Sequence, residues 1–322
     1  MGLLAVGWFS TILWPMRTLW NPDQASTWDA AHSQAGASLQ QDWAYGATMK
    51  MLGVGVQRVM VEQDGTPVAL AQFILRCWGA FAAVVLCSRG PVWLADLDAA
   101  DKLRVYRAIK QSLPLGGLKL NVVTPAELAG SSVGLSPLRR VVTGASTVML
   151  DLRVSQDALR ANLEGNWRNQ LQAAENAELK VVNMAPNPGA YRWLLDAELK
   201  QRASRGLDGL PPQFFDVYLQ ARKNPAATTL GLRVDMGKAP AAGMIFLIHG
   251  SVATYQVGWS NEEARKARAN NVLLWRAIQE LKARGIAWLD LGGINTQRSA
   301  GLARFKMSTG GQVQTLAGTY LF

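Results

Sequence analysis

The residues best placed to do chemistry lie near the C-terminus. Trp288-Leu289-Asp290-Leu291 reads as a strand running into Gly292-Gly293, and Gly301-Leu302-Ala303-Arg304-Phe305-Lys306 follows. Two glycines at a strand end let backbone approach a ligand closely. A lysine after an aromatic residue on the next segment supplies a cation that can stabilise the oxyanion of a tetrahedral intermediate in acyl transfer. The same position also fits a surface lysine beside a core phenylalanine. Histidine chemistry is not on offer. The chain holds only His32, His249, Cys77 and Cys87, scattered too widely for a metal-ligand pattern, and no Ser-His-Asp or Cys-His arrangement stands out. No metal is expected, and the two cysteines read as small core residues of a reducing compartment.

The charge balance points toward an anionic partner. Lys and Arg number 33 against 23 Asp and Glu, a formal +10, which favours polyanions such as tRNA, a nucleotide diphosphate or an anionic membrane face. Arg265, Lys266, Arg268 and Arg276 either line an anionic cleft or form a solvated helix face. The turn ahead of that helix, Arg265 to Asn270, lacks the glycine of the Arg-x-x-Gly-x-Gly/Ala loops that cradle a pyrophosphate on backbone amides. Arg298 to Ala303 does spell that pattern. It follows the later strand, is expected to open no helix, and reads as chance.

These residues need elements to position them. Residues 38–52 are expected to be helical, with Leu39, Trp43, Ala47 and Leu52 near helical spacing. Strands follow at 55–62, 67–76 and 80–86, the first two joined by an Asp64-Gly65 turn. A helix over 99–112 and a strand over 118–123 complete the first half. The second half repeats the order: strands at 228–235, 240–248 and 252–259, a helix over 269–284 ended by Gly285, and a strand over 286–291. Pro67, Ala69 and Phe73 correspond to Pro240, Ala242 and Phe246 at a constant offset. An internal duplication follows, each copy a mixed α/β unit. Between the copies, one helix is expected over 155–179 from Leu159, Leu163, Trp167 and Leu171, capped by Ser155, with further helices near 188–203 and 211–223. The domain boundary is placed at 145, giving domains 1–145 and 146–322. Met1 to Met16 carries no charge but is short of the ~20 residues that span a bilayer, and reads as a buried strand or an interfacial contact.

Several segments resemble the FemABX family of tRNA-dependent aminoacyl transferases. They are "GIAWLDLGGIN…GLARFKMSTGG", the stretch from Tyr255 to Trp275, "TVMLDLRVSQDALRANLEGNWRNQLQAAE" with its R-N pattern at Arg168, and, more loosely, "LQQDWAYG" and "SRGPVW". The similarity spans most of 38–320 in order. It implies two tandem GNAT-like domains, without the inserted helical arm of some members. It implies transfer of an amino acid from aminoacyl-tRNA to an amine of a peptidoglycan precursor or similar peptide, with no cofactor beyond that co-substrate. By this match Lys306 polarises the transferred ester carbonyl and Phe305 shapes the site. Arg205 matches an arginine that binds precursor phosphate, Tyr255 and the Gly292-Gly293 pair fall in the matching segments, and Lys50 and Asp96 are looser precursor-binding candidates. A cytoplasmic protein is expected, and the apolar N-terminus and basic charge balance leave open a peripheral contact at the inner face of the membrane. Two other classes stay open: an acyl-CoA-dependent relative, and a non-catalytic binder of tRNA or precursor.

Overall fold

The computed structural model describes residues 16–79, 82–131, 135, 137–207 and 209–322. The expected contact of Met1 to Met16 lies outside them, except for Met16, which packs against the first core. Two mixed sheets carry the fold. The first orders its strands Arg17–Trp20, Gly55–Gln63, Thr66–Trp78, Ala82–Ser88, Leu118–Thr124, Thr319–Leu321 and Arg139–Val142. The second runs Gln312–Thr315, Ser146–Asp151, Trp288–Gly293, Val252–Ser260, Ala239–His249, Thr229–Met236 and Val181–Met184. The division at 145 separates the two sheets for every strand but the last. Thr319–Leu321 crosses back and pairs with both Leu118–Thr124 and Arg139–Val142.

The duplication is written in the strand registers. In the first hairpin Pro67 faces Glu62 and Ala69 faces Val61, which bulges Val68. In the second, Pro240 faces Asp235 and Ala242 faces Val234, which bulges Ala241. Bulges re-aim strands and are placed rather than accidental, so the shared position is a stronger tie than the three matched residues. The parallel crossover agrees: Ala82 faces Leu118 in one copy and Val252 faces Trp288 in the other.

Each crossover helix lies on its own sheet. Asp98 caps Ala99–Ser112 by accepting from the Asp101 N–H at 2.8 Å, and Val105, Tyr106 and Ile109 enter the first core. Ala269–Ala283 buries Leu273, Leu274, Ala277, Ile278 and Leu281 in the second. It ends at Gly285 (φ 76°), with the Ile286 N–H donating to the Leu281 carbonyl at 3.1 Å, a Schellman closure. A third core joins the halves: Leu39, Ala44 and Tyr45 pack with Leu194, Phe214, Phe215, Tyr218 and Leu247.

Three expected elements differ. The helix over 38–52 begins late, at Trp43–Met51, after a short 3-10 turn. Gln41 is drawn instead into the first sheet, donating to the carbonyls of Gln72 (3.2 Å) and Ser88 (2.7 Å). The helix over 155–179 is two helices, Gln156–Ala161 and Gly165–Asn176. Glu164 turns out between them because its N–H donates to the Ser308 carbonyl at 3.1 Å and its carboxylate accepts from Ser308 Oγ at 2.7 Å. The helix over 211–223 shortens to Phe214–Gln220 behind Pro211-Pro212. Of the two cysteines, Cys87 is buried, and burial pushes its thiol well up, while Cys77 is exposed at the far end of Thr66–Trp78.

Candidate active site

The two copies part company where the parallel strands meet. In the first, Ala82–Ser88 and Leu118–Thr124 stay in register from Ala82 to Ser88. In the second, the ladder stops after Thr254 faces Asp290. Two irregularities accompany the opening. Strand Val252–Ser260 bulges at Gln256 against Ala239–His249, and Gly292 takes φ 76°, a left-handed conformation that glycine adopts without strain. Tyr255, Gly292 and Gly293 therefore edge a gap between separating strands. A Cβ on Gly292 would lie 3.6 Å from Lys306 Nζ and 4.0 Å from the Tyr255 carbonyl oxygen.

Lys306 comes to this gap from the helix Ala300–Met307. It is only 6% exposed. Its Nζ donates to the Gly293 carbonyl at 3.0 Å and sits 5.6 Å from the centre of the Tyr255 ring. Burial lowers its pKa to about 8, while the negative charge of Asp290 pulls the other way. Asp290 is itself tightly held. One carboxylate oxygen accepts from Thr147 Oγ1 at 2.5 Å and from the Gly292 N–H at 2.7 Å, and the other lies 3.5 Å from Arg89. Burial also pushes the Tyr255 phenol up, so it is a neutral hydroxyl at physiological pH.

Above the gap opens a cleft of about 760 Å³. Its charged walls are Arg205, Arg265, Arg268, Arg298 and Arg304 against one carboxylate, Glu164. That imbalance selects an anionic ligand. The walls are partly preset: Arg265 donates to the Ser260 carbonyl at 3.0 Å, and Arg268 to the Lys266 carbonyl at 2.9 Å. Asn271, 3% exposed, also lines the cleft with its Nδ2 unpaired. Phe305 lines it too, 5.7 Å from Trp167 ring to ring. Trp259 and Gln201 form its far edge and border a second groove walled by Trp193, Lys200 and Ser204.

The structure brings together Arg205, Tyr255 and Phe305 in the cleft, with Lys306, Gly292 and Gly293 beneath it. Lys50, exposed at the end of Trp43–Met51, and Asp96, exposed in a loop of the first half, are not among the cleft residues. Of the four basic residues near the second crossover helix, Arg265 and Arg268 line the cleft. Lys266 and Arg276 instead pair on their own helices with Glu262 (2.8 Å) and Glu280 (3.0 Å). The Arg298–Ala303 pattern does open a helix, contrary to expectation. Asn295 Oδ1 accepts from the N–H groups of Gln297 and Arg298, and this turn feeds Ala300–Met307. Sequence reasoning missed the Arg89–Asp290 ion pair, although both residues stood inside quoted motifs.

Residues 160–307 match the acetyltransferase (GNAT) domain family. That stretch holds the opened strands, Lys306 and the cleft residues except Ser308, and it makes the C-terminal half an acyltransferase domain. The crystal structure of FemX superposes with a TM-score of 0.79 over 95% of this chain and 96% of that one, at 13% identity. The chain is a tandem GNAT-like protein with the FemX fold. A tandem GNAT protein from the clavulanic acid biosynthesis pathway superposes at 0.52 (13% identity, 95% and 98% covered). The C-terminal domain of a putative lysylphosphatidylglycerol synthetase from Agrobacterium fabrum does so at 0.53 (13% identity, 92% of each). A search of curated proteins found no match. Within the FemX-like frame, the described crossover strands of the N-terminal half stay paired to Ser88, whereas those of the C-terminal half part after Thr254 and Asp290.

Proposed function

We propose that this acyltransferase moves an amino acid from aminoacyl-tRNA to an amine of a peptidoglycan precursor or similar peptide. The observation that carries the reading is a buried lysine below a cleft walled by five arginines. An aminoacyl ester is already activated, so orientation and oxyanion stabilisation suffice. The acceptor amine attacks the ester carbonyl, and Lys306 donates to the oxygen that becomes negative. As the tetrahedral intermediate collapses, the C–O bond to the ribose breaks, the amide forms, and the amine proton passes to the departing hydroxyl. Phe305 and Tyr255 bound the reacting centre, and Arg205, Arg265 and Arg268 hold phosphates. Lys50 and Asp96 lie outside the cleft, and this reaction does not call on them. The setting is the cytoplasm, at the inner face of the membrane where lipid-linked acceptors are found.

One observation favours a second reading. The helix Ala269–Ala283 opens on the cleft through Asn270 and Asn271, and Arg298–Ala303 opens another. Helix N-termini of this kind receive the pyrophosphate of an acyl-CoA. The choice of donor decides. Purified protein and a muropeptide mixture are incubated with radiolabelled aminoacyl-tRNAs and, in parallel, with labelled acyl-CoAs. Label passing from tRNA to the muropeptide supports aminoacyl transfer and names the amino acid. Label passing from acyl-CoA alone overturns it.

A further inference from the structure

One side chain of the N-terminal half enters the layer that holds Lys306. Arg89 stands at the end of Ala82–Ser88 in the left-handed region (φ 55°). For a residue with a Cβ that conformation is strained, and a strained position that persists is held by its surroundings. Here its N–H donates to the Thr124 carbonyl at 2.6 Å, and its carbonyl accepts from Ser38 Oγ at 3.3 Å. So held, the guanidinium crosses to the other half and meets Asp290 at 3.5 Å. Asp290 lies in the same buried layer as Lys306: the Gly292 N–H that it accepts is one residue from the Gly293 carbonyl that Lys306 grips.

We propose that Arg89 is a positioning residue, by which the N-terminal half holds Asp290 away from a direct ion pair with Lys306 and so keeps the lysine ammonium free for substrate. The inference rests on Lys306 as the acting group but not on the identity of the donor. Among the described residues the charge of Asp290 acts on Lys306, and it raises the lysine's pKa against burial. The other titratable groups nearby are differently engaged. The Tyr255 ring lies 5.6 Å from the lysine on its cleft side, with Glu198 acting on that phenol. Glu164 is bonded to Ser308, and Arg298 and Arg304 line the cleft. A cation on Asp290 shares its charge. Without that cation the whole negative charge falls to Lys306, which then keeps its proton to higher pH.

The test is a direct titration of Lys306 in the full chain. Protein labelled with ¹³C at lysine Cε is followed by NMR from pH 6 to 11, and Lys306 is assigned by the resonance that Lys306→Met removes. Arg89→Met should raise the midpoint, lowering the neutral fraction at pH 7 by roughly three- to tenfold, since one pKa unit is tenfold. Asp290→Asn should move the midpoint the opposite way, and Arg89→Lys should restore at least half of the Arg89→Met shift. The pH profile of kcat should shift in the same sense. An unchanged midpoint in a folded Arg89→Met protein overturns the proposal. If Arg89→Met does not fold, Asp290→Asn with an unchanged or raised midpoint overturns it. A protein that transfers nothing from tRNA still gives the titration, so the two readings fail separately.

Discussion

Arg222 of the C-terminal half reaches Asp42 of the N-terminal half at 2.6 Å, with the carboxylate 2% exposed and the guanidinium 11%. Tyr218 donates to the same carboxylate at 3.2 Å and also bonds Arg222. Asp42 caps Trp43–Met51 through the Tyr45 N–H as well. One buried acid thus starts a helix and ties the two halves of the chain together.

A buried pair is weak evidence of net stability but costly to break, because one charge is left unpaired. Arg222→Met should therefore destabilise by about 3–5 kcal/mol. Arg222→Met with Asp42→Asn should recover most of that loss, since asparagine still caps the helix and neither site is charged. Denaturant unfolding of the two single variants and the double gives the coupling. Additive losses would show that the pair does not act as a unit.

Lys306→Ala should lower kcat by roughly 10²–10³ if the ammonium is the oxyanion donor, with the unfolding midpoint preserved or raised. The pH profile gives the sign. With a pKa of about 8, an ammonium donor is lost as pH rises, so kcat should fall above about pH 8. A rate that instead rises through that pH would make Lys306 a base and remove it from oxyanion stabilisation.

The same buried charge predicts a trade of stability for function. A lysine lowered from 10.5 to about 8 binds fewer protons folded than unfolded between those values, so the wild type gains stability as pH rises through that window. Below about pH 8 both states are protonated and the penalty is complete. Lys306→Met should then be more stable than wild type by on the order of 3 kcal/mol near pH 7, and the gap should close toward pH 10.5. A Met variant less stable at pH 7 would show that the Gly293 hydrogen bond outweighs desolvation.

How far the sequence spoke depended on whether the cause was local. The helix Ala99–Ser112 was legible to the residue, because Asp98 caps it and its apolar positions recur at helical spacing. The paired hairpins were legible through Pro67 and Pro240, which sit at equivalent bulges. Lys306, Phe305, Tyr255 and Arg205 stood out in segments that resemble a known family, and they converge. The break at Glu164 and the delayed helix at Trp43 were not legible, because Ser308 causes the first from more than a hundred residues away and the Gln72 and Ser88 carbonyls, in another part of the sheet, hold Gln41 out of the second. Arg89 and Asp290 were likewise read as separate motifs, since nothing local in either predicts the other.

The arginine walls carry a prediction about salt. Arg205, Arg265 and Arg268 come from three different segments around one cleft. If they contact phosphates of a single-stranded acceptor end, each neutralised phosphate releases counterion, and log K falls with log salt by about 0.7 per contact. Arg268→Ala and Arg265→Ala should each raise KM for aminoacyl-tRNA and flatten that slope by about 0.7, with kcat nearly unchanged because neither touches the reacting carbonyl. Arg268 also anchors its own turn through the Lys266 carbonyl. Arg265 likewise bonds the Ser260 carbonyl, so Arg265→Lys and Arg268→Lys check that charge rather than loop shape is being read. A slope that does not change in either alanine variant, with KM unmoved, would place the polyanion on another surface of this basic protein.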